Sequence, residues 1–411
     1  LRDPTARYTT RGLPPSNDSR GDGMMVAMEG EPATPRHRPG RGPRSVRVLR
    51  RARRRARFRE SLVELGPKSR QVTLSDGRTL GFDEFGDREG SAVLFFHGFG
   101  SSRVVRHPDD EIATQLGARV IAIDRPGIGI STRQPNRRVT DWPRDVEELL
   151  DILGIERCSI VAWSGGGPYA LACGWQMPER LTVIGLISAP APLSGVPGST
   201  GYTWRRHRAM SRTADHAPWV IALAMWRWSR QQRADPAKQL DDAIAGMIEA
   251  DRQILGDPAL RAVMIANAAE MYRQGNGGIY DEALCLARPW GFPIAGVSVP
   301  VRIWHGARDK VVPVGMGKYI ERTVPGAIAT FYRQEGHHFV YDRWREILGV
   351  IVAEARGRAP AAATTRVSPE GSRSRAWTTG TDASAAAGDP TLAVHEAASL
   401  LAQPARPPDG R

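Results

Sequence analysis

The feature of this chain that most constrains its fold is a serine set among small residues, in the segment VAWSGGGPYA at positions 161–170. An apolar run precedes Ser164 and a helical pattern follows it. A strand that turns sharply into a helix exposes one side chain, and the turn closes only where the residues two before and two after it are small. Ala162 and Gly166 occupy those places. The pattern predicts a nucleophile at Ser164, although the same glycines are also typical of an ordinary flexible turn.

Two later segments offer partners for this serine. Residues 301–306 form a predicted strand, and the loop that follows presents Asp309. Residues 327–332 form the next predicted strand, and the loop after it presents His337. In a serine triad the imidazole takes the serine proton, while the carboxylate fixes the tautomer and stabilises the imidazolium. Each residue alone has an ordinary interpretation, as a turn serine or a solvated loop charge, so the predicted triad depends on the order serine, acid, histidine.

A glycine-rich turn earlier in the chain offers backbone donors. The apolar residues 92–96 predict a strand, and HGFGS at 97–101 follows it directly. The backbone N–H of Phe99 can join that of Gly165, the residue after the serine, in an oxyanion hole. Four features in one consistent order are much harder to obtain by accident than any one of them.

These segments together carry a resemblance to a known superfamily. The chain resembles the α/β-hydrolases, and more narrowly the bacterial serine hydrolases of that fold. The resemblance covers residues 71–355 and depends on six segments, which are HGFGSSR at 97–103, DRPGIGIS at 124–131, SGGGP at 164–168, WGF at 290–292, HGARDKVVP at 305–313 and EGH at 335–337. The family calls the sharp strand-to-helix turn at the serine the nucleophile elbow, and here Ala162 replaces its first glycine. The other departures from the family pattern are Gly100, which stands one place early in the first segment, and the doubled histidine His337–His338.

The alternation of strand and helix patterns predicts an α/β fold with a mostly parallel, doubly wound sheet. After the sixth predicted strand, residues 182–187, the strands stop for about a hundred residues. The resemblance implies that the helical, Trp- and Met-rich segment inserted there is a cap over the active site. The expected organisation is a disordered basic tail at 1–67, a hydrolase core at 68–191, a helical cap at 192–287, the second part of the core at 288–355 and a disordered tail at 356–411.

Four residues are candidates for the substrate pocket. Trp163 and His338 adjoin the proposed triad in sequence, and Trp204 and Trp226 belong to the predicted cap. Most Trp residues at helical spacing hold helices to a core, and that interpretation stands beside the pocket role. In the family pattern the base immediately follows the glycine of E-G-H, which selects His337 and leaves His338 to shape the pocket mouth.

The net charge of +13 is unevenly distributed. Residues 1–70 carry 18 Lys and Arg against 7 Asp and Glu, and residues 356–411 carry 7 against 5, so the body between them is close to neutral. A neutral body argues against nucleic-acid binding by the catalytic core. The basic segment 47–59 could touch RNA, DNA or anionic lipid, or it could be a solvated tail.

The spacing of the cysteines and the lengths of the apolar runs limit which compartment and which cofactors we expect. Cys158, Cys173 and Cys285 show no metal-ligand or C-x-x-C spacing, so we expect free thiols in a reducing, cytoplasmic compartment. The longest apolar run, 218–226, is far shorter than the roughly 20 residues of a membrane span. The sequence implies no metal and no organic cofactor, no membrane partner, and a small-molecule acyl compound as substrate.

A serine at the elbow favours acyl transfer to water through an acyl-enzyme. The haloalkane dehalogenases and epoxide hydrolases that share the fold use Asp there, because they form an alkyl ester on a carboxylate. Hydrolysis of a small-molecule carboxylic ester is the leading hypothesis. Hydrolysis of amides, lactones, thioesters or C–C bonds and cofactor-free perhydrolysis stay open. Two other classes of function also stay open, a ligand receptor with little turnover and a nucleic-acid-associated protein with a basic tail.

Overall fold

In the computed structural model the described residues are 62–64, 68–192 and 202–357, with side chains described for 68–192 and 209–357. All of them belong to one structural unit, Arg50–Arg411. Most of the two predicted disordered tails, including the basic segment 47–59, lies outside the described residues.

A nine-stranded sheet organises the described residues, in the order β1-β2-β3-β5-β4-β6-β7-β8-β9. The first three strands run antiparallel to their neighbours, and every pair from β5 to β9 is parallel. The strands are β1 Leu62–Glu64, β2 Ser69–Thr73, β3 Thr79–Gly86, β4 Ser91–Phe96, β5 Ala118–Ile123, β6 Cys158–Trp163, β7 Leu181–Ile187, β8 Val301–Gly306 and β9 Ile328–Tyr332. The mostly parallel sheet predicted from the sequence is confirmed.

The central strands are almost continuously apolar because helices cover both faces of the sheet. All six residues of β6 are buried. One face carries the helices α2 and α3 with α10, and the other carries α1 and α11. The bounds are α1 Glu111–Gln115, α2 Trp142–Leu153, α3 Gly167–Gln176, α10 Val314–Thr323 and α11 Trp344–Ala355.

Among the residues described between β7 and β8 there are six α-helices, and we call residues 202–287 the helical insertion. They are α4 Tyr202–His216, α5 Pro218–Ala234, α6 Pro236–Ala245, α7 Glu249–Leu255, α8 Pro258–Met271 and α9 Gly277–Ala287. Parts of α4, α5, α8 and α9 share an apolar cluster with Ile128 of the loop after β5, and in it Trp228 and Tyr272 meet edge to face. The domain boundaries predicted around this segment, 192 and 287, stay predictions.

One short strand corrects the sequence analysis. Leu62–Glu64 pairs antiparallel with β2, with Leu62 opposite Val72. It lies inside the segment predicted to be a disordered tail, and it makes the helical insertion follow the seventh strand rather than the sixth. A three-residue strand is too short to show periodicity, and it forms by adding backbone hydrogen bonds to the open edge of a sheet.

Candidate active site

The turn between β6 and α3 presents Ser164. The strand ends at Trp163, and a 3-10 turn, Ser164–Gly166, leads directly into α3. Ser164 has a φ of 51°, in the left-handed region that a side chain other than glycine rarely adopts. A Cβ at Gly166 would collide with the carbonyl oxygens of Phe96 and His97. The sequence therefore places a small residue where β4 approaches closely, and the strained serine stands at the carboxyl edge of the sheet.

The loops after β8 and β9 bring Asp309 and His337 together at the same edge. Asp309 Oδ2 accepts a hydrogen bond from His337 Nδ1 at 2.7 Å. Its Oδ1 accepts from the backbone N–H groups of Val311 and Val312, each at 2.8 Å. The carboxylate is thus fixed by its own loop, and its contact with Nδ1 leaves Nε2 as the nitrogen available for proton transfer.

Trp163 joins the serine strand to the histidine loop. The ring centroids of Trp163 and His337 lie 5.5 Å apart. The indole Nε1 donates to the backbone oxygen of His337 at 3.3 Å. Since Trp163 immediately precedes Ser164, these contacts join the His337 loop to the strand that ends at the serine.

Asp309 and His337 stabilise each other's charged form. Burial by itself would raise the pKa of Asp309, but the charge and the hydrogen bond of His337 hold that pKa below its ordinary value. Burial would lower the pKa of His337, but Asp309, and to a smaller extent the charge of Asp251, raise it above its ordinary value. An imidazolium formed at His337 is therefore favoured by its surroundings, as a proton-accepting base requires.

His305 lies at the end of β8, in contact with the loop that carries Asp309. Its Nε2 lies 2.8 Å from the backbone oxygen of Val312 and 3.6 Å from Asp309 Oδ2. Burial lowers the pKa of His305, which keeps its ring neutral. We interpret His305 as a structural residue that supports the Asp309 loop.

The loop after β4 brings the Phe99 backbone against the elbow. A Cβ built on Gly165 would lie 2.7 Å from Phe99 N, so the two backbones meet only because Gly165 has no side chain. The Phe99 N–H donates to no acceptor among the described residues. Gly165 is the second residue of a 3-10 turn, and its N–H has no acceptor one turn earlier within that turn. Two free donors therefore lie together next to Ser164, as an oxyanion hole requires.

A buried arginine supports the loop after β4 that carries Phe99, which we call the donor loop. Arg125 donates to the backbone oxygens of His97 and Gly98 at 2.6 and 2.9 Å. Its Nε also donates to Glu282 of α9 at 2.7 Å, and both charged side chains are fully buried. The helical insertion is thereby tied to the loop that carries Phe99. No local sequence pattern indicates this pair, since 157 residues separate its members.

Of the four predicted pocket residues, two adjoin the candidate site. His338 lies beside Trp163, with 5.7 Å between their ring centroids, and both side chains are largely buried. Trp204 falls on the first part of α4, and its side chain is outside the described residues. Trp226 is 47% exposed, and Arg230 lies over its ring.

The structure places Trp226 on the exposed side of α5, and its role in a substrate pocket stays a prediction. Residues two apart on a helix point about 200° away from each other, so Trp226 and Trp228 cannot share a face. Trp228 is the buried one, and its ring stacks on Phe99 at 5.9 Å. Helix α5 has two apolar stripes, Trp219–Leu223–Trp226 and Ile221–Met225–Trp228, and only the second faces the core. The sequence alone does not distinguish them.

The described residues contain neither a metal-ligand cluster nor a membrane-spanning helix. Among the residues that the structure describes, no group of three or more His, Cys, Asp or Glu side chains is placed to hold a metal ion. No helix within the described ranges is long and apolar enough to cross a membrane.

This chain is similar to known hydrolases. A family model described as "alpha/beta hydrolase fold" matches residues 91–343. The chain is similar to a pimeloyl-(acyl-carrier protein) methyl ester esterase of Chromobacterium violaceum, with 23% identity over 257 residues that cover 61% of this chain and 88% of that protein. It is also similar to epoxide hydrolase B of Mycobacterium tuberculosis, with 33% identity over 126 residues, but these cover only 30% of this chain and 35% of that protein.

Solved structures show the same fold. A hydrolase from Pseudomonas aeruginosa matches with a TM-score of 0.53 and 18% identity, over 72% of this chain and 100% of that one. The enol-lactonase from Burkholderia xenovorans matches with a TM-score of 0.51 and 17% identity, over 70% and 100% of the two chains. At these identities the likeness concerns the fold alone.

Proposed function

The chain belongs to the α/β-hydrolase fold family, and on that premise we propose that it is a serine hydrolase that cleaves a small-molecule carboxylic ester through an acyl-enzyme. The observation that carries the proposal is the 2.7 Å contact of Asp309 with His337, at the sheet edge where the elbow presents Ser164. A hydroxyl, an imidazole and an orienting carboxylate are the parts that acyl transfer needs.

In the proposed reaction, Ser164 Oγ attacks the ester carbonyl while Nε2 of His337 takes the hydroxyl proton. Asp309 holds the His337 ring in the tautomer with Nδ1 protonated, and its negative charge stabilises the imidazolium. The backbone N–H groups of Phe99 and Gly165 donate to the oxyanion that forms. His337 then returns the proton to the departing alcohol.

The second half of the reaction repeats these roles with water. His337 takes a proton from a water molecule, whose oxygen attacks the acyl carbon bound to Ser164. The oxyanion forms again between the two backbone donors. The bond to Ser164 Oγ breaks, the serine recovers its proton from His337, and the carboxylic acid leaves.

The elbow residue favours one of the chemistries named for the relatives. An epoxide hydrolase of this fold needs a carboxylate nucleophile, and Ser164 has none. The methyl ester esterase of Chromobacterium violaceum covers far more of this chain than the epoxide hydrolase does, 61% against 30%. Both observations favour an ester as the bond that is cleaved.

A fluorophosphonate probe tests the nucleophile. We expect covalent labelling of the purified protein at Ser164 and turnover of activated esters, both lost in Ser164→Ala. Removal of a triad nucleophile costs several orders of magnitude in rate. Ser159→Ala is a matched control, since Ser159 lies on the same strand with its hydroxyl bonded to Thr182 at 2.7 Å, and labelling should persist there. Labelling that survives in Ser164→Ala would remove Ser164 from the mechanism.

A further inference from the structure

A carboxylate of the helical insertion holds the loop that carries the two histidines. Asp251, on α7, accepts a hydrogen bond from the backbone N–H of His337 through Oδ2 at 3.0 Å. It accepts a second from the N–H of His338 through Oδ1 at 2.8 Å. Asp251 is buried, with 5% of its surface exposed. Both of its oxygens are therefore used on a segment that lies 86 residues further along the chain.

We propose that Asp251 is a positioning residue for the general base, through which the helical insertion holds the His337 peptide in place for proton transfer. The inference rests on the proposed function, in which His337 is that base. A buried carboxylate that accepts from two adjacent N–H groups makes strong, charge-assisted bonds. The loop therefore has its working geometry only when α7 is seated on the core.

The residue before the histidine agrees with this role. A Cβ on Gly336 would collide with the Asp251 carboxylate. Gly336 does not have the positive φ that would by itself require glycine. What glycine supplies here is room for the carboxylate to reach the next two N–H groups.

The His337 peptide is held from two sides. Trp163 of the core donates to its backbone oxygen at 3.3 Å, and Asp251 of the insertion accepts from its N–H. Asp309 fixes the ring through Nδ1. A loop peptide with its donor, its acceptor and its ring all engaged has little freedom left, and misplacement of about 1 Å can cost roughly 100-fold in rate.

The charge of Asp251 also acts on the imidazole. Burial would raise the pKa of Asp251, but His338 and the two backbone N–H groups lower it to about 2, so it is ionised at neutral pH. The titratable groups that face His337 are Asp309 and His305 from the core, the neighbouring His338, and Asp251 from the insertion. Asp309 and Asp251 favour the protonated ring, and His305 opposes it only when it is itself charged.

The test uses Asp251→Asn, which keeps the shape but loses the charge and one of the two acceptors. We expect kcat for an activated ester to fall about tenfold to 100-fold, with a smaller change in KM. Because a negative charge near His337 is lost, its pKa should fall, and the acidic limb of the pH dependence of kcat/KM should move down by about one pH unit.

Asp281→Asn is the matched control. Asp281 is a buried carboxylate of the same insertion, and it bonds Arg133 at 2.6 Å rather than the histidine loop. Asp251→Ser is the second variant, in case Asp251→Asn does not fold. The inference predicts that the acidic limb of the kcat/KM profile keeps its pH in Asp281→Asn and moves to lower pH in either Asp251 variant. An unchanged limb and an unchanged kcat in a folded Asp251 variant would overturn it.

An NMR titration separates this inference from the proposed function, because it needs no substrate. The pKa of the His337 imidazole should be lower in Asp251→Asn than in the unmodified protein. In the unmodified protein, the amide protons of His337 and His338 should exchange with solvent much more slowly than that of exposed Gln334. Equal pKa values, or equally fast exchange, contradict the role of Asp251. Loss of ester turnover in Ser164→Ala, tested separately, decides the proposed function.

Discussion

The carboxyl edge of the sheet and the helical insertion each place one carboxylate on the loop that carries His337 and His338. Asp309 of the core bonds the ring of His337, and Asp251 of the insertion bonds the backbone of His337 and His338. In the proposed mechanism every reacting side chain comes from the core, whereas the insertion supplies groups that hold core loops in place. The difference teaches that a segment can be essential to the geometry of a site without contributing a reacting atom.

The two regions also meet through charged contacts of unequal burial. Arg125 and Glu282 are both fully buried beneath the donor loop. Arg133 and Asp281 join the same helix α9 to the core, but the Arg133 side chain is 44% exposed. A buried charge cannot lose its partner without a large penalty, while an exposed one regains water. The first pair should therefore matter much more than the second for how firmly the insertion is held.

The largest expected effect distinguishes His337, whose ring bonds Asp309, from the neighbouring His338. His337→Ala should lower kcat for an activated ester by about 10⁴-fold, since it removes the proposed base. His338→Ala should cost about tenfold to 100-fold at most, because the Asp309 carboxylate bonds the ring of His337 and not that of His338. Steady-state kinetics on both variants check this. The opposite ranking would move the base to His338 and make Asp251 its orienting acid.

A smaller effect is expected at the donor loop. Gly165→Ala introduces a Cβ 2.7 Å from Phe99 N, which pushes apart the two proposed oxyanion donors. Loss of one such donor costs about 10²- to 10³-fold in kcat. The control is Gly315→Ala, where a Cβ would have nothing within 4 Å and activity should persist. Full activity in Gly165→Ala would place the oxyanion elsewhere.

The smallest expected effect is on stability and compares the two ion pairs. Glu282→Gln leaves the buried Arg125 charge without its counter-charge and should lower the free energy of unfolding by about 3 kcal/mol. Asp281→Asn, at the half-exposed pair, should lower it by about 1 kcal/mol or less. Chemical denaturation followed by tryptophan fluorescence measures both. Equal losses would show that burial does not distinguish these contacts.

Much of the fold was predictable from the sequence because the residue patterns that specify it are local. The apolar runs of β4 and β6, the small residues around Ser164 and the loops after β8 and β9 each depend on a few neighbouring residues. The sequence could not show which tryptophan of α5 is buried, because Trp226 and Trp228 are equally apolar and only packing against Phe99 distinguishes Trp228. The strand Leu62–Glu64 escaped prediction because three residues carry too little pattern.

The sequence by itself determined the fold class, the strand that ends at the serine and the order of the candidate catalytic residues, because strand ends, tight turns and small residues are specified within a few positions. Only the tertiary structure decided that Asp251 holds the histidine loop, that Arg125 and Glu282 lie beneath the donor loop, and that Trp228 covers Phe99. The physical reason is that these contacts join segments far apart in the chain. In sequence, Asp251 is an acidic residue of a short polar helix, and burial against the histidine loop is what makes it different.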